Sequence, residues 1–250
     1  MIAKAVKAKL EDIQPLRALF LQESNFQVRY NACHERGWTD SYLLTLDGAE
    51  AGYGSIKGQE IAGRDTVFEF FLVPALRRHS RPAFAELLAV ASPTYIECQS
   101  NDPLLSTMLF EFARDINADT VLFADQTATA LSVPGAVVRP RRKDDRCFEH
   151  RDELLGDYVL VVGEEIVAIG GFLTHYNPPF ADLYMEVRQD CRGRGYASFI
   201  LQEVKKVCYL AGRVPAARCS IRNQASRGAL LRAGMKVCGF MLRGHVKPAN

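Results

Sequence analysis

The chain has 250 residues, 48% hydrophobic and 24% charged, with a formal net charge of +2. That is the balance of a soluble globular protein, long enough for one large domain or two ordinary ones, and it gives no case for bulk attraction to nucleic acid or a membrane surface. Seven cysteines show no disulfide-framework spacing and no Cys-x-x-Cys, which points to reduced thiols in a cytoplasm and away from a zinc or other metal site.

The N-terminal residues lack the apolar core of a signal peptide, and no run approaches the ~20 apolar residues of a membrane span. Residues 10–36 read as two helices. Ile13, Leu16, Leu19 and Phe20 give the first an apolar face, with Pro15 suited to a first turn. Asn25–Arg36 reads as the second, stopped by Gly37. Ser41–Leu46 and Gly52–Ile56 read as strands joined across Asp47-Gly48, a hairpin signal. Thr66–Val73 is a Phe-rich buried strand. A helix carrying Phe84, Leu87, Leu88 and Ala91 follows, then a strand at Tyr95–Cys98 and a helix at Pro103–Ala113. Residues 126–146 are turn-rich and charged. Their basic run, Arg139 to Arg146, reads as a solvated linker, with phosphate or nucleic-acid contact as the sharper alternative.

In the second half, Asp157–Val162 and Ile166–Leu173 form a hairpin, and His175–Phe180 links it to the next strand. No pair of helices precedes Asp157; Asp152–Leu155 offers a turn at most. In 181–197 strand alternation places Leu183, Met185 and Val187 on one face and Tyr184 and Glu186 on the other. The pattern breaks at Arg188–Cys191, and Gly193 and Gly195 follow, flanked by Arg192 and Arg194. A helix then carries Ala197, Ile200, Leu201, Val204, Cys208 and Ala211 on one face, and Gly212 stops it. Pro215–Ser220 is a strand, Ala225–Ala233 a helix and Lys236–Leu242 a last strand.

A helix start offers unpaired N–H groups and partial positive charge. Two glycines ahead of it let a large anion approach, and two arginines add charge at the rim, which suits a pyrophosphate. The plain alternative is a tight turn before a helix. The dinucleotide fingerprint is not met, because Ser198 stands where its third glycine belongs.

Arg192-Gly-Arg-Gly-Tyr-Ala197 resembles the Arg/Gln-x-x-Gly-x-Gly/Ala motif of the GNAT superfamily of N-acetyltransferases. Asn223-Gln-Ala-Ser226, followed by Gly234-Met235, is similar to that family's Asn-x-x-Ala…Gly-Phe segment. The resemblance covers roughly residues 155–245. It implies a mixed α/β fold of two GNAT-like domains, each a mostly antiparallel central sheet flanked by helices. The first, 1–135, is degenerate; the second, 147–250, binds acetyl-CoA; 136–146 links them. Arg77-Arg-His-Ser-Arg-Pro-Ala-Phe84 aligns without gaps on Arg192–Phe199, with Arg78 and Ser80 in place of the two glycines and Pro82 removing a donor. Asn101–Ser106 stands in the place of Asn223–Ser226.

The resemblance implies transfer of an acetyl group from acetyl-CoA, as co-substrate and without a metal, to an amine by direct attack. A non-catalytic acyl-CoA sensor or scaffold is the alternative, and a homodimer stays open. The implied CoA contacts are Met185, Glu186 and Val187 on the strand, Arg192, Gly193, Arg194, Gly195, Tyr196 and Ala197 in the loop and helix start, and Asn223 and Ser226. A bulge near Glu186-Val187 would open the pantetheine slot. Candidate bases are Glu186, Asp182, His175 and Tyr184. The family's usual acid, a Tyr seven residues after the Asn, falls on Leu230, so Ser226 is the substitute donor, with a helix N-cap as its alternative role. Cys219 has no evident His partner and reads as core.

Overall fold

A computed structural model of the chain describes residues 2–23, 26–28, 30–148 and 156–248. In chain order come β1 (Ala3–Ala8), α1 (Leu10–Glu23), α2 (Tyr30–Glu35), β2 (Thr39–Leu46), β3 (Ala49–Lys57), β4 (Thr66–Leu72), α3 (Ser80–Ala91), β5 (Tyr95–Gln99), α4 (Pro103–Phe112) and β6 (Ala113–Asp125). These are followed by β7 (Ala136–Pro140), β8 (Tyr158–Val162), β9 (Glu165–Leu173), β10 (Phe180–Val187), α5 (Tyr196–Leu210), β11 (Val214–Ser220), α6 (Gln224–Arg232) and β12 (Met235–Val246). Two compact units result: Met1–Asp119 with Gly239–Asn250, and Thr120–Cys238. The division falls within β6 and within β12. The stretch 136–146, read from sequence as a linker, carries β7 and lies in the second unit.

The first unit's strands run β1-β2-β3-β4-β5-β12. All pairs are antiparallel except β4 and β5. Asp47 and Gly48 both take positive φ, 49° and 84°, the conformation a two-residue hairpin turn needs. All seven residues of β4 are buried because helices cover both of its faces. Phe70 and Leu72 pack with Phe84 and Leu87 of α3 and with Leu105 of α4. Phe71 packs with Ile13, Leu16 and Phe20 of α1. That accounts for the Phe-rich run, since a strand covered on both sides has no polar face.

The second unit's strands run β6-β11-β10-β9-β8-β7, again antiparallel except for β10 and β11. The apolar stripe of α5, Ile200, Leu201, Val204 and Cys208, covers Leu183, Val187, Ala168 and Ala217. The chain after β6 is pinned onto α5. Lys205 Nζ pairs with Asp125 at 2.5 Å and donates to the carbonyls of Thr127 (2.9 Å) and Ala233 (2.8 Å). Gln202 Oε1 accepts from Thr129 Oγ1 and the Leu131 N–H, both at 2.7 Å.

Several expectations are corrected. Pro15 sits inside α1, past its first turn. The second helix is Tyr30–Glu35; Asn25 and Arg29 lie outside the described residues, as does Asp152–Leu155. Among the described residues no helix lies between β6 and β8. The basic run is internally paired, with Arg139 reaching both carboxylate oxygens of Asp145 at 2.7 and 2.6 Å. β10 keeps an unbroken register against β9 from Asp182 to Val187, so no bulge opens there. The first unit does have one: Phe68 of β4 is skipped between Ser55↔Glu69 and Ile56↔Val67.

Candidate active site

The second unit opens at its parallel pair. β10 and β11 are joined at Phe180↔Val214, Ala181↔Pro215 and Asp182↔Ala216, and then the ladder ends. β10 continues against β9 to Val187, and β11 continues against β6 to Ser220. The two strands therefore separate because each follows its other neighbour. A cavity of about 510 Å3 lies at this opening. Met185, Glu186 and Val187 line it from β10, Arg192, Gly193 and Gly195 from the loop, and Tyr196, Ala197 and Ser198 from the first turn of α5. Asn223 and Ser226 complete it from the start of α6.

The loop is built to leave its mouth bare. Gly193 and Gly195 have φ of 80° and 83°, and a Cβ on either would meet no atom within 4 Å. Glycine is needed there for backbone conformation, and the space beside it is open. Gly195 caps α5, so the N–H groups of the first turn face that space. Arg192 Nε donates to the Val187 carbonyl at 3.2 Å, tying the loop to the end of β10. Arg194 folds back onto the Asp190 carbonyl at 3.3 Å and does not line the cavity. On α6, Asn223 is the N-cap, its Oδ1 accepting from the Ser226 N–H at 3.0 Å. Ser226 is thus the capped residue, not the cap, and its hydroxyl is left for the cavity wall. The lining residues Cys191, Gln224, Gly228, Ala229 and Arg232 were not picked out by sequence. The helix read from sequence at Ala225–Ala233 already carried the last three, and the structure starts it one residue earlier, at Gln224.

The remaining candidates cluster at the root of the opening. His175 Nε2 lies 3.2 Å from Asp182 Oδ2, and Arg218 Nε lies 3.8 Å from the same oxygen. Asp182 forms the last β10–β11 pair, so this cluster marks where the strands part. Neither His175 nor Asp182 lines the cavity. Glu186 stands four residues further along β10, on the same face by strand alternation and about 13 Å away. Tyr184 between them turns aside: a Cβ on Gly171 of β9 would come within 2.5 Å of its hydroxyl. Its phenol therefore lies over β9, the neighbour opposite the slot.

The first unit repeats this plan with the opening filled. Its parallel pair, Thr66↔Tyr95 and Val67↔Ile96, also ends early. The bulged Phe68 packs on Tyr30, with ring centroids 5.1 Å apart, and on His34 at 5.4 Å. The buried Tyr30 phenol lies beside Gln99 of β5, and the Gln27 N–H reaches Gln99 Oε1 at 3.4 Å. The glycine loop is replaced by a 3-10 turn, Pro74–His79, whose end binds the Ser80 N–H to the Arg77 carbonyl. The helix cap corresponding to Asn223 is Asp102, which accepts from the Leu105 N–H at 3.0 Å, one residue later than the Asn101 that sequence alignment suggests.

Three comparisons bear on these features. The model of the Acetyltransferase (GNAT) family matches residues 110–235, half of the chain. A search of curated proteins gave no match. Among solved structures, an acetyltransferase of the GNAT family from Colwellia psychrerythraea superposes with a TM-score of 0.73 at 12% identity, covering 99% of this chain and 100% of its own. A tandem GNAT protein from the clavulanic acid biosynthesis pathway gives 0.63 at 12% identity, with 100% of both chains covered. A GCN5-related N-acetyltransferase from Sphaerobacter thermophilus gives 0.59 at 17%, covering 100% of this chain and 96% of its own. At such identities the structures speak for the fold alone: mixed α/β, with mostly antiparallel sheet flanked by helices. Fold and family model agree, and the chain belongs to the GNAT acetyltransferase family, whose chemistry is acyl transfer.

Proposed function

We propose that the chain transfers the acetyl group of acetyl-CoA to an amine by direct attack, using the cavity of the second unit. The observation that carries this reading is the bare glycine mouth at the head of α5, continuous with the gap between β10 and β11. A pyrophosphate fits beside Gly193 and Gly195, held by the helix-start N–H groups and the charge of Arg192. The pantetheine arm then runs along Met185–Val187. N–H groups of that strand would polarise the thioester carbonyl as oxyanion donors. The amine arrives from the face that carries Glu186 and the His175–Asp182 pair, which are the candidates for taking its proton. Ser226 is the candidate for returning one to the thiolate.

The experiment is calorimetry with acetyl-CoA followed by a free-thiol assay over a panel of amines. Saturable binding with amine-dependent thiol release supports the reading. No binding overturns it. A second reading, an acyl-CoA sensor, is favoured by one observation: the family's acid position is Leu230, 3% exposed and without a donor. Binding without thiol release for any amine would favour the sensor.

A further inference from the structure

Arg218 stands in the second unit where packing alone does not call for a charge. Ala216 of β11 pairs with Asp182 of β10 in the last rung of the parallel ladder, and Tyr176 and Phe180 pack with it. The next residue, Ala217, belongs to the core that α5 covers. Strand alternation therefore sets Arg218 on the face away from α5, two residues past the last rung. It occupies the β11 lip of the opening, about 7 Å beyond the Asp182–Ala216 rung. The position in register with it on β10 is Tyr184, and the segment Met185–Val187 that lines the cavity begins one residue further.

The guanidinium is held in place but not used up. Nε lies 3.8 Å from Asp182 Oδ2, within ion-pair reach and beyond hydrogen-bonding distance, while His175 Nε2 lies nearer the same oxygen, at 3.2 Å. Among the described residues no hydrogen bond engages the side-chain donors of Arg218. The side chain is 31% exposed, so its outer edge is open to the solvent side of the gap. The first unit shows that the architecture does not require this charge. There the last rung is Val67↔Ile96, and two residues on along β5 stands buried Cys98. Val67 and Cys98 take the places of Asp182 and Arg218, and that parallel pair parts over an apolar rung.

Resting on the acetyl-transfer reading of the opening, we infer that Arg218 receives a carboxylate of the acceptor, and that the acceptor is an amino acid whose amine neighbours that carboxylate. A guanidinium takes a carboxylate through two parallel N–H bonds. Asp182 lies at the Nε edge of the fork, which leaves the Nη edge for the acceptor. The short step from Arg218 to Met185 along the strands fits an amine and a carboxylate on one carbon, with the amine turned to the segment that reading gives to the thioester. The same charge repels a second ammonium, so it also selects against diamines. Arg218 is thus a specificity-determining residue that touches the acceptor and takes no part in the proton transfers.

The test is the free-thiol assay on the full chain with saturating acetyl-CoA and matched pairs: leucine and isopentylamine, phenylalanine and phenethylamine, histidine and histamine, lysine and cadaverine. In the pairs it accepts, wild type is expected to favour the amino acid by about tenfold or more in kcat/KM, the loss when a charged hydrogen-bonding group is left without its partner. Arg218→Met should bring that ratio close to one, chiefly through a higher KM for the amino acid. Arg218→Lys, which keeps the charge but not the fork, should recover part of it. Calorimetric affinity for acetyl-CoA identifies the variants that are folded. The inference is overturned if wild type accepts the amines as well as the amino acids, or if Arg218→Met lowers both members of each pair alike, as a purely structural contact with Asp182 would. Binding of acetyl-CoA without thiol release from any member of the panel overturns the acetyl-transfer reading and this inference together; transfer without preference for the carboxylate overturns this inference alone.

Discussion

Tyr30 lies at the opening of the first unit with its ring on Phe68 of β4, centroids 5.1 Å apart, and its phenol beside Gln99 of β5. Burial pushes the phenol well above its ordinary pKa, so it stays a neutral plug. Tyr30→Ala should cost about 3–5 kcal/mol, the range for deleting a buried aromatic ring, read as a lower denaturant midpoint. It should not create a second acetyl-CoA site, because the Ser80 N–H is still spent on the Arg77 carbonyl. A variant that gains a second calorimetric site would show that Tyr30 alone closes the first unit.

Asp102 carries a second consequence of the same closure. Burial lifts its carboxyl from 3.8 to about 7, against hydrogen bonds from the Leu105 and Leu104 backbone. The folded state thus holds a proton that the unfolded state has already lost. Stability falls as pH rises from about 4 through about 7 and is level above. Asp102→Asn keeps the cap and removes that fall. It should stabilise the protein by about 1 kcal/mol or more near pH 8 and be neutral near pH 4, read from thermal midpoints at the two values. Equal effects at both would contradict the burial argument.

Glu69 has the opposite sign. It accepts from Arg17 Nε (3.1 Å), Arg17 Nη2 (3.2 Å) and Tyr53 (2.9 Å) and lies 3.0 Å from His34 Nε2. Burial would raise its carboxyl, but Arg17 and His34 outweigh burial and hold it at about 2, below the ordinary 4.5. This carboxylate therefore stabilises the fold above about pH 4.5, and the contribution is lost as pH falls toward 2. Glu69→Gln leaves Arg17 buried without a counter-charge and should cost about 3–5 kcal/mol at neutral pH. Its acid limb in a stability–pH profile should flatten. An unchanged limb would assign the acid sensitivity elsewhere.

The second unit needs what precedes residue 147. β6 supplies the edge of β11 from Thr120 to Ala124, and β7 that of β8. A fragment 147–250 lacks both strands and should not fold, as judged by circular dichroism. In the full chain, Lys205→Met removes the counter-charge of Asp125, which keeps its bond from Tyr209, and the donor to two carbonyls, and should destabilise by about 3 kcal/mol. A folded 147–250 fragment that binds acetyl-CoA would refute this dependence.

The residues that were legible in the sequence are those with strong local physics. The stripe of α5, the Asp47-Gly48 turn and the Gly193/Gly195 loop follow from periodicity and backbone freedom. β1, β6 and β7 were missed because small or charged residues interrupt their alternation; Ala113–Asp125 has apolar partners on only part of its length. Nothing local shows that the strand after α4 completes the β11 side of the other unit, or that the last strand returns to β5, because pairing is non-local. The cavity's loop and α6 start were legible as motifs. The Tyr30 plug was not, since it joins residues far apart in the chain.

The central claim is that acetyl-CoA occupies one site per chain, at the glycine mouth of the second unit. Titration calorimetry on wild type, Gly195→Arg and Ser80→Gly tests it most directly. The account predicts one site in wild type and in Ser80→Gly, and none in Gly195→Arg, where a side chain fills the open space and strains a residue with φ of 83°. Two equivalent sites in wild type, or undiminished binding in Gly195→Arg, would contradict it.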